Sequence, residues 1–173
     1  GPKHKRDLEA VSRALFANIE GQTGVQSVRY DELSLRQIHN LNDRQIAMYY
    51  QARAAVDTSI ERLAQTYAAQ IGAANGLSID ELKNMALDDT VAMVKTHIQE
   101  THDGLRADEE LRREVMAQDQ DEALDRARQL GGFPAAPTVD ETRMLLERLD
   151  QIEEKARFLQ ESGYMPAMRF GEY

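Results

Sequence analysis

Apolar positions along the chain recur at spacings of three and four, which is the periodicity of an amphipathic helix. The longest such segment lies in the first half of the chain, and Arg53 is its one interruption. Asn42 or Asp43 can cap the first turn, and Asn75-Gly76 suits the end. We therefore predict a helix of about eight turns, or roughly 30 residues. Its large apolar side chains share one face: Ile46, Tyr49, Val56, Ile60, Leu63, Tyr67 and Ile71.

Two capping boxes mark predicted helix starts in the second half of the chain. In a capping box, a hydroxyl and a carboxylate three residues apart each bind the other's backbone N–H group. The first box, Ser78 with Glu81, predicts a helix that continues to Gly104. The second box, Thr138 with Glu141, predicts the last helix of the chain.

Weaker patterns fill the remaining segments. Residues 7–20 predict a short amphipathic helix, and residues 31–41 predict a short helix or an irregular connector. Two glycines and two prolines in residues 131–138 break the chain before its last helix. Residues 107–130 predict a polar helix with few apolar positions, namely Leu111, Val115, Leu124, Ala127 and Leu130.

These patterns together favour an all-α protein. The sequence shows no pair of strands joined by a hairpin turn and no repeat of fixed period. The strong segments all have helical spacing and end at caps or glycines. We therefore predict a helical bundle of two or three long helices plus shorter ones, followed by an extended apolar strap at the C-terminus.

Composition and charge exclude several classes of protein. The 173 residues include no cysteine, so disulfides and thiolate sites are excluded. The net charge is −9, from 30 acidic and 21 basic residues. A general nucleic-acid binder needs a basic face to displace phosphate counterions, so this class is disfavoured. The apolar runs are far shorter than the roughly 20 residues of a membrane-spanning helix, and no span is predicted.

The sequence contains no catalytic or cofactor motif of known spacing. It has no glycine-flanked serine, no phosphate-binding loop and no dinucleotide-binding glycine pattern. His97 and His102 are five residues apart, which places them about 140° apart on a helix, whereas a zinc-binding pair needs a spacing of four. A metal-dependent enzyme built on these histidines and Asp103 is the least favoured hypothesis. We expect no catalytic residue, no cofactor and no metal ion.

Arg53 is the candidate interaction residue of the long helix. It lies where the apolar face predicts a large hydrophobic side chain, and two interpretations stay open. Its guanidinium could meet a carboxylate on a partner helix or in a site, and Asp57 is a possible local partner. Its stem could instead lie along the face with the charge in water. A buried charge without a partner would be very costly, which excludes the third possibility.

The chain ends with SGYMPAMRFGEY. Gly163 suits the position after the last helical turn, because glycine adopts the left-handed conformation required there. Pro166 prevents the helix from continuing and favours an extended residue before it. Tyr164, Met168 and Phe170 then predict an apolar strap that folds back on the helix ends.

This tail resembles the GYxPLxRFG signature of the PLxRFG region in very large polyvalent proteins of bacteriophages and related mobile elements. Ala167 stands where that signature has leucine. The upstream sequence YYQARAAVDTSIERLA is also similar to the helical sequence that precedes the signature, so the resemblance covers most of residues 41–173. The matching positions are Gly163, Tyr164, Pro166, Arg169, Phe170 and Gly171.

The resemblance implies a non-catalytic helical module, cut from a multidomain chain that enters the host with phage DNA. Such a module would serve as a scaffold, spacer or docking surface for proteins, including other domains of the same chain, in the virion or the host bacterial cytoplasm. Residues 1–2 are typical of the scar of a cleaved tag. Residues 3–40 are then an N-terminal helix and connector, and 41–173 the module. The alternative is a small acidic phage-encoded protein that inhibits a host protein.

Overall fold

The computed structural model describes residues 1–17, 28–118, 122, 125 and 135–166. Within these residues the chain is all-α and contains no strand, which confirms the predicted class. Three helices are long and the others are shorter, as the periodicity predicts. In chain order the helices are α1 (Pro2–Leu15), α2 (Glu32–Gln37), α3 (Asp43–Ala74), α4 (Ile79–Leu82), α5 (Leu87–Gln118) and α6 (Val139–Glu161).

The chain forms two compact units. Unit 1 comprises Gly1–Ala64 and Glu154–Tyr173, and unit 2 comprises Gln65–Glu153. The domain limits predicted from the sequence, 3–40 and 41–173, stay a prediction. None of the helices in the described residues is long and apolar enough to cross a bilayer. The core of unit 1 consists of Val11, Ala14, Leu15, Leu35, Leu41, Ile46, Tyr49 and Met165.

Helix α1 begins and ends earlier than the sequence pattern predicts. It starts at Pro2, with Gly1 as the residue before its first turn. Proline suits this first position because its missing N–H group would have no helical partner there. The predicted helix start at residue 7 is therefore wrong, while the assignment of residues 1–2 to a tag scar stays a prediction. The helix ends at Leu15.

Helix α3 has the predicted length and ends. At its start, Asn42 Oδ1 accepts from the Gln45 N–H at 2.9 Å, and Gln45 Oε1 accepts from the Asn42 N–H at 3.0 Å. This reciprocal pair is a capping box. At its end Gly76 has φ +96°, and the Leu77 N–H donates to the Gly72 carbonyl at 3.0 Å. Residues close together in the chain thus set both limits of the helix: a side-chain cap at its start and a glycine in the left-handed conformation at its end.

The buried face of α3 differs from the predicted one in unit 2. Tyr67, on the predicted apolar face, is 51% exposed. A Cβ atom on Gly72 would lie 2.7 Å from Val94 Cγ2 of α5. Small side chains let two helix backbones approach closely, so this contact selects the alanine-rich face rather than the face with large side chains. The buried residues of this part of α3 are Gln65, Ala68, Ala69 and Gly72.

The single helix predicted from Ser78 to Gly104 is wrong. Ser78 makes no side-chain capping bond and precedes only the four-residue α4. The chain then leaves the helical conformation until α5 begins at Leu87. Leu82 and Leu87 are both fully buried, although positions five apart lie about 140° apart on an unbroken helix. The break lets both leucines face the core. The Leu82 carbonyl accepts from the Met85 N–H at 3.1 Å and from Gln65 Nε2 at 2.6 Å.

Gly104 does not end a helix, because α5 continues through it to Gln118. A Cβ atom at Gly104 would meet no atom within 4 Å. We expect Gly104→Ala to raise the free energy of unfolding by about 0.5–1 kcal/mol, since alanine loses less backbone entropy in a helix. Urea unfolding measures this change. A lower midpoint in the variant would contradict an open, regular helical position.

Helix α6 starts as the second capping box predicts. Thr138 Oγ1 accepts from the Glu141 N–H at 3.1 Å, and Glu141 Oε2 accepts from the Thr138 N–H at 3.4 Å. The helix therefore begins directly after the segment of glycines and prolines. Leu124, Ala127 and Leu130, which the sequence assigns to the preceding polar helix, lie outside the described residues.

Candidate functional site

The end of α6 is built from the first residues of the tail. The Gly163 N–H donates to the Gln160 carbonyl at 3.4 Å, and the Tyr164 N–H donates to the Leu159 carbonyl at 3.1 Å. This pair of bonds is a Schellman motif, which places Gly163 at the left-handed position with φ +72°. A Cβ atom there would lie only 2.6 Å from the backbone nitrogen of Arg29. The position therefore needs glycine both for its conformation and for this close approach.

Arg53 lies at the centre of unit 1 and is only 2% exposed. Its Nε donates to the Tyr49 hydroxyl at 3.2 Å. The guanidinium carbon lies 5.3 Å from the centre of the Tyr49 ring, a favourable place for a cation. The terminal nitrogens donate to four backbone carbonyls: Leu15 at 3.3 Å, Val28 at 3.0 Å, Tyr164 at 3.5 Å, and Gly163.

Neither sequence interpretation of Arg53 describes this arrangement. The charge is not in water, and its partners in the described residues are carbonyls and a hydroxyl rather than a carboxylate. Leu15 is the last residue of α1, and Gly163 follows the end of α6. The C-terminal ends of helices carry partial negative charge, so two helix ends compensate the buried cation. Arg53 is therefore a joint between three chain segments.

A second layer of polar contacts surrounds this joint. Arg29 forms an ion pair with Asp57 at 2.6 Å and also donates to the Gln160 carbonyl at 3.0 Å. Asp57, the local partner suggested for Arg53, is thus occupied by Arg29. Arg157 pairs with Glu61 at 2.5 Å. These side chains are about one-third exposed, so each pair adds little stability by itself, about 0–1 kcal/mol. Together they hold the segment at residue 29 and the end of α6 against α3.

The described part of the tail, Tyr164 to Pro166, has one buried side chain, which is not among the predicted strap residues. Met165 is 1% exposed and belongs to the core of unit 1, whereas Tyr164 and Pro166 are only partly buried. In an extended segment neighbouring side chains point to opposite sides, so with Met165 in the core its two neighbours point away from it. The other predicted strap and signature positions lie outside the described residues: Ala167, Met168, Arg169, Phe170 and Gly171.

The structure brings together three of the candidate residues, Arg53, Gly163 and Tyr164. No sequence pattern indicated the part of the joint that the backbone around Val28 and Arg29 forms. That segment has only weak alternation, and its contribution is a carbonyl and a close backbone approach. Neither property depends on residue type.

The two histidines of the least favoured hypothesis bind protein groups. His97 Nε2 lies 2.7 Å from the Asn75 carbonyl, and His102 Nδ1 lies 2.8 Å from Thr142 Oγ1. Within the described ranges, no group of three or more His, Asp or Glu side chains is arranged to hold a metal ion. The pair therefore does not form a metal site with Asp103 in this part of the chain.

Open grooves occur in both units of the described part of the chain. One of about 260 Å³ lies in unit 1 between α1 and α3, and apolar side chains including Leu8, Val11 and Met48 line most of it. Another of about 520 Å³ lies in unit 2 beside α5, with Arg112 and Asp108 in its lining. The Arg53 joint, by contrast, is packed and fully hydrogen-bonded.

These features define an all-α protein whose main polar site is a buried arginine bound to backbone carbonyls. The chain matches no protein-family model, no curated protein and no solved structure.

Proposed function

We propose that the chain is a helical scaffold or docking module of a phage-derived large polyvalent protein, without catalysis of its own. The observation that supports this role is the binding of the Gly163 and Tyr164 carbonyls by Arg53. These two residues begin the part of the tail that resembles the PLxRFG signature. An arginine whose donors are all bound inside the core stabilises a fold and does not act on a substrate.

The docking surface of this module is the exposed apolar side of α5. Leu111 is 60% exposed and Val115 is 58% exposed, and they lie one helical turn apart. Amphipathic helix faces of this kind bind complementary grooves through anchors at this spacing. The proposed partner is another domain of the same polyvalent chain, in the virion or in the host bacterial cytoplasm. A net charge of −9 disfavours nucleic acid as the partner.

The second candidate is a small acidic phage-encoded protein that binds and inhibits a host protein. The observation that favours it is the same net charge of −9. Charge of one sign speeds association with an oppositely charged surface, so the partner would be a basic host protein.

Mass spectrometry of purified virions from the source phage or element separates the two candidates. The module hypothesis predicts that peptides of this chain occur in the particle within one long polypeptide that continues beyond it. The inhibitor hypothesis predicts a short free protein, found in infected cells and not in particles. Finding only the short form would overturn the module proposal.

The docking surface has its own test. We expect the double variant Leu111→Asp/Val115→Asp to retain the melting temperature, because exposed positions contribute little to stability. The same variant should lose binding to the neighbouring domains of the native chain, measured by isothermal titration calorimetry. Met144→Asp is the matched control, since Met144 is 67% exposed on α6. Equal binding by the wild type and the double variant would show that α5 is not the docking surface.

A further inference from the structure

The ends of two helices meet α5 at one buried histidine in unit 2. His102 lies on α5 and is only 5% exposed. Its Nδ1 lies 2.8 Å from Thr142 Oγ1, near the start of α6. Its Nε2 lies 3.3 Å from the side-chain oxygen of Asn75, which directly follows α3. One imidazole ring therefore connects α5 to both helix ends.

Neighbouring side chains of α5 support the same connection. Arg106 Nη1 donates to Thr142 Oγ1 at 2.9 Å and to the Pro137 carbonyl at 3.3 Å. His97 Nε2 lies 2.7 Å from the Asn75 carbonyl. In a neutral His102 the Nε2–H can donate to Asn75, and Nδ1 can accept the Thr142 hydroxyl at 2.8 Å. That hydroxyl has a single hydrogen, for which the Thr138 carbonyl at 3.1 Å competes. Arg106 can only donate, so it does not compete for that hydrogen.

The charges around His102 act in opposite directions. On α5, Arg106 and His97 oppose a positive ring, while Asp103 favours it; on α6, Glu141 also favours it. The two helix ends oppose each other too, since the start of α6 repels a cation and the end of α3 attracts it. Burial decides the balance, and together with Arg106 it lowers the pKa of His102 below the ordinary value of 6.5.

We propose that His102 is a proton-sensitive joint, which fastens the start of α6 to α5 at neutral pH and loosens it on acidification. Burial between the two helix ends and contact with Thr142 make the ring part of the packing, so a proton there disturbs both ends at once. The positive Arg106 binds the same hydroxyl and would face a second cation.

The direction of the pH dependence follows from proton linkage. The pKa of His102 is lower in the folded state than in an opened state, so the opened state binds more protons below about pH 6.5. The stabilising contribution is therefore complete above about pH 6.5 and is lost as the pH falls toward the lowered pKa.

Hydrogen exchange of the full chain tests the joint. We expect the protection factors of residues 138–143 to fall between pH 7.5 and pH 5.0. These protection factors should fall by up to about tenfold for each pH unit by which the pKa of His102 in the folded protein lies below its ordinary value. In His102→Gln, which cannot take up a proton, the protection factors should not change with pH. In His39→Gln they should fall as in the wild type, since burial also lowers the pKa of His39 but that residue lies in unit 1.

Two further results would overturn the proposal. One is a wild-type His102 ring that titrates at pH 6.5 or above in NMR spectra. The other is protection of residues 138–143 that stays constant with pH in the wild type, or that falls equally in His102→Gln. If His102→Gln does not fold, the NMR titration and the wild-type exchange decide the question without it.

Discussion

Replacing Arg53 by methionine is expected to lower the free energy of unfolding by at least about 3 kcal/mol, because several backbone carbonyls lose their charged donor at once. Methionine fills a similar volume but donates no hydrogen bond. The carbonyls of Leu15, Val28 and Gly163 would then be buried without their donor, and each such loss costs about 1–3 kcal/mol. Urea unfolding followed by circular dichroism measures the change.

Two other variants make this experiment specific. Arg53→Lys should recover only part of the loss, because an ammonium group cannot reproduce the planar fork that reaches several carbonyls at once. Arg143→Met is the control. Arg143 lies on α6, is 65% exposed and pairs with Asp140 three residues away, so its loss should cost less than about 0.5 kcal/mol. An unchanged unfolding midpoint in Arg53→Met would show that the buried guanidinium does not hold unit 1 together.

The parts of the fold that were predictable from the sequence depend on residues close together in the chain. The cap at Asn42 and the capping box at Thr138 need partners only three residues away, and both form. Helical periodicity likewise reports spacings of three and four, so the class and the long helices follow from it. The glycine stop at Gly163 is local in the same sense, since the two N–H groups that cap the helix, those of Gly163 and Tyr164, donate to carbonyls of the last turn of α6.

The errors occur where distant contacts decide the outcome. The periodic face of α3 includes Tyr67, but the close approach of α5 at Gly72 buries the alanine side instead. The capping signal at Ser78 yields only a short helix, because Leu82 and Leu87 must both reach the core. A local pattern shows that a helix is amphipathic, but it does not show which neighbour will cover it.

The candidate site was predictable only in its parts. The sequence pattern identifies Arg53 as a charged residue on an apolar helix face, and it identifies Gly163 as the residue that ends a helix. The two residues are 110 positions apart in the chain. Nothing in either local pattern says that one binds the carbonyl of the other. Backbone carbonyls are common to all residues, so the sequence carries no signature of the site they form together.

Gly163→Ala is expected to be the most damaging single methyl addition in the described part of the chain, with a loss of at least about 3 kcal/mol. The left-handed conformation at φ +72° alone costs about 1–3 kcal/mol for a residue with a side chain. In addition, the new Cβ atom would lie 2.6 Å from the Arg29 nitrogen and 3.0 Å from the Val28 carbonyl carbon. Both are backbone atoms, so neither can move aside cheaply.

The variants Gly163→Asn and Gly104→Ala distinguish the cost of the left-handed backbone from the cost of the contact with Arg29. Asparagine tolerates the left-handed conformation but carries the same Cβ atom, so Gly163→Asn should remain strongly destabilised if the contact with Arg29 dominates. Gly104→Ala adds the same methyl group at an open helical site and should shift the urea midpoint in the opposite direction. If the tail were a free peptide displayed for a partner, Gly163→Ala would leave the midpoint unchanged. A loss in Gly163→Ala beside a gain in Gly104→Ala would instead show that the start of the tail is part of the core of unit 1.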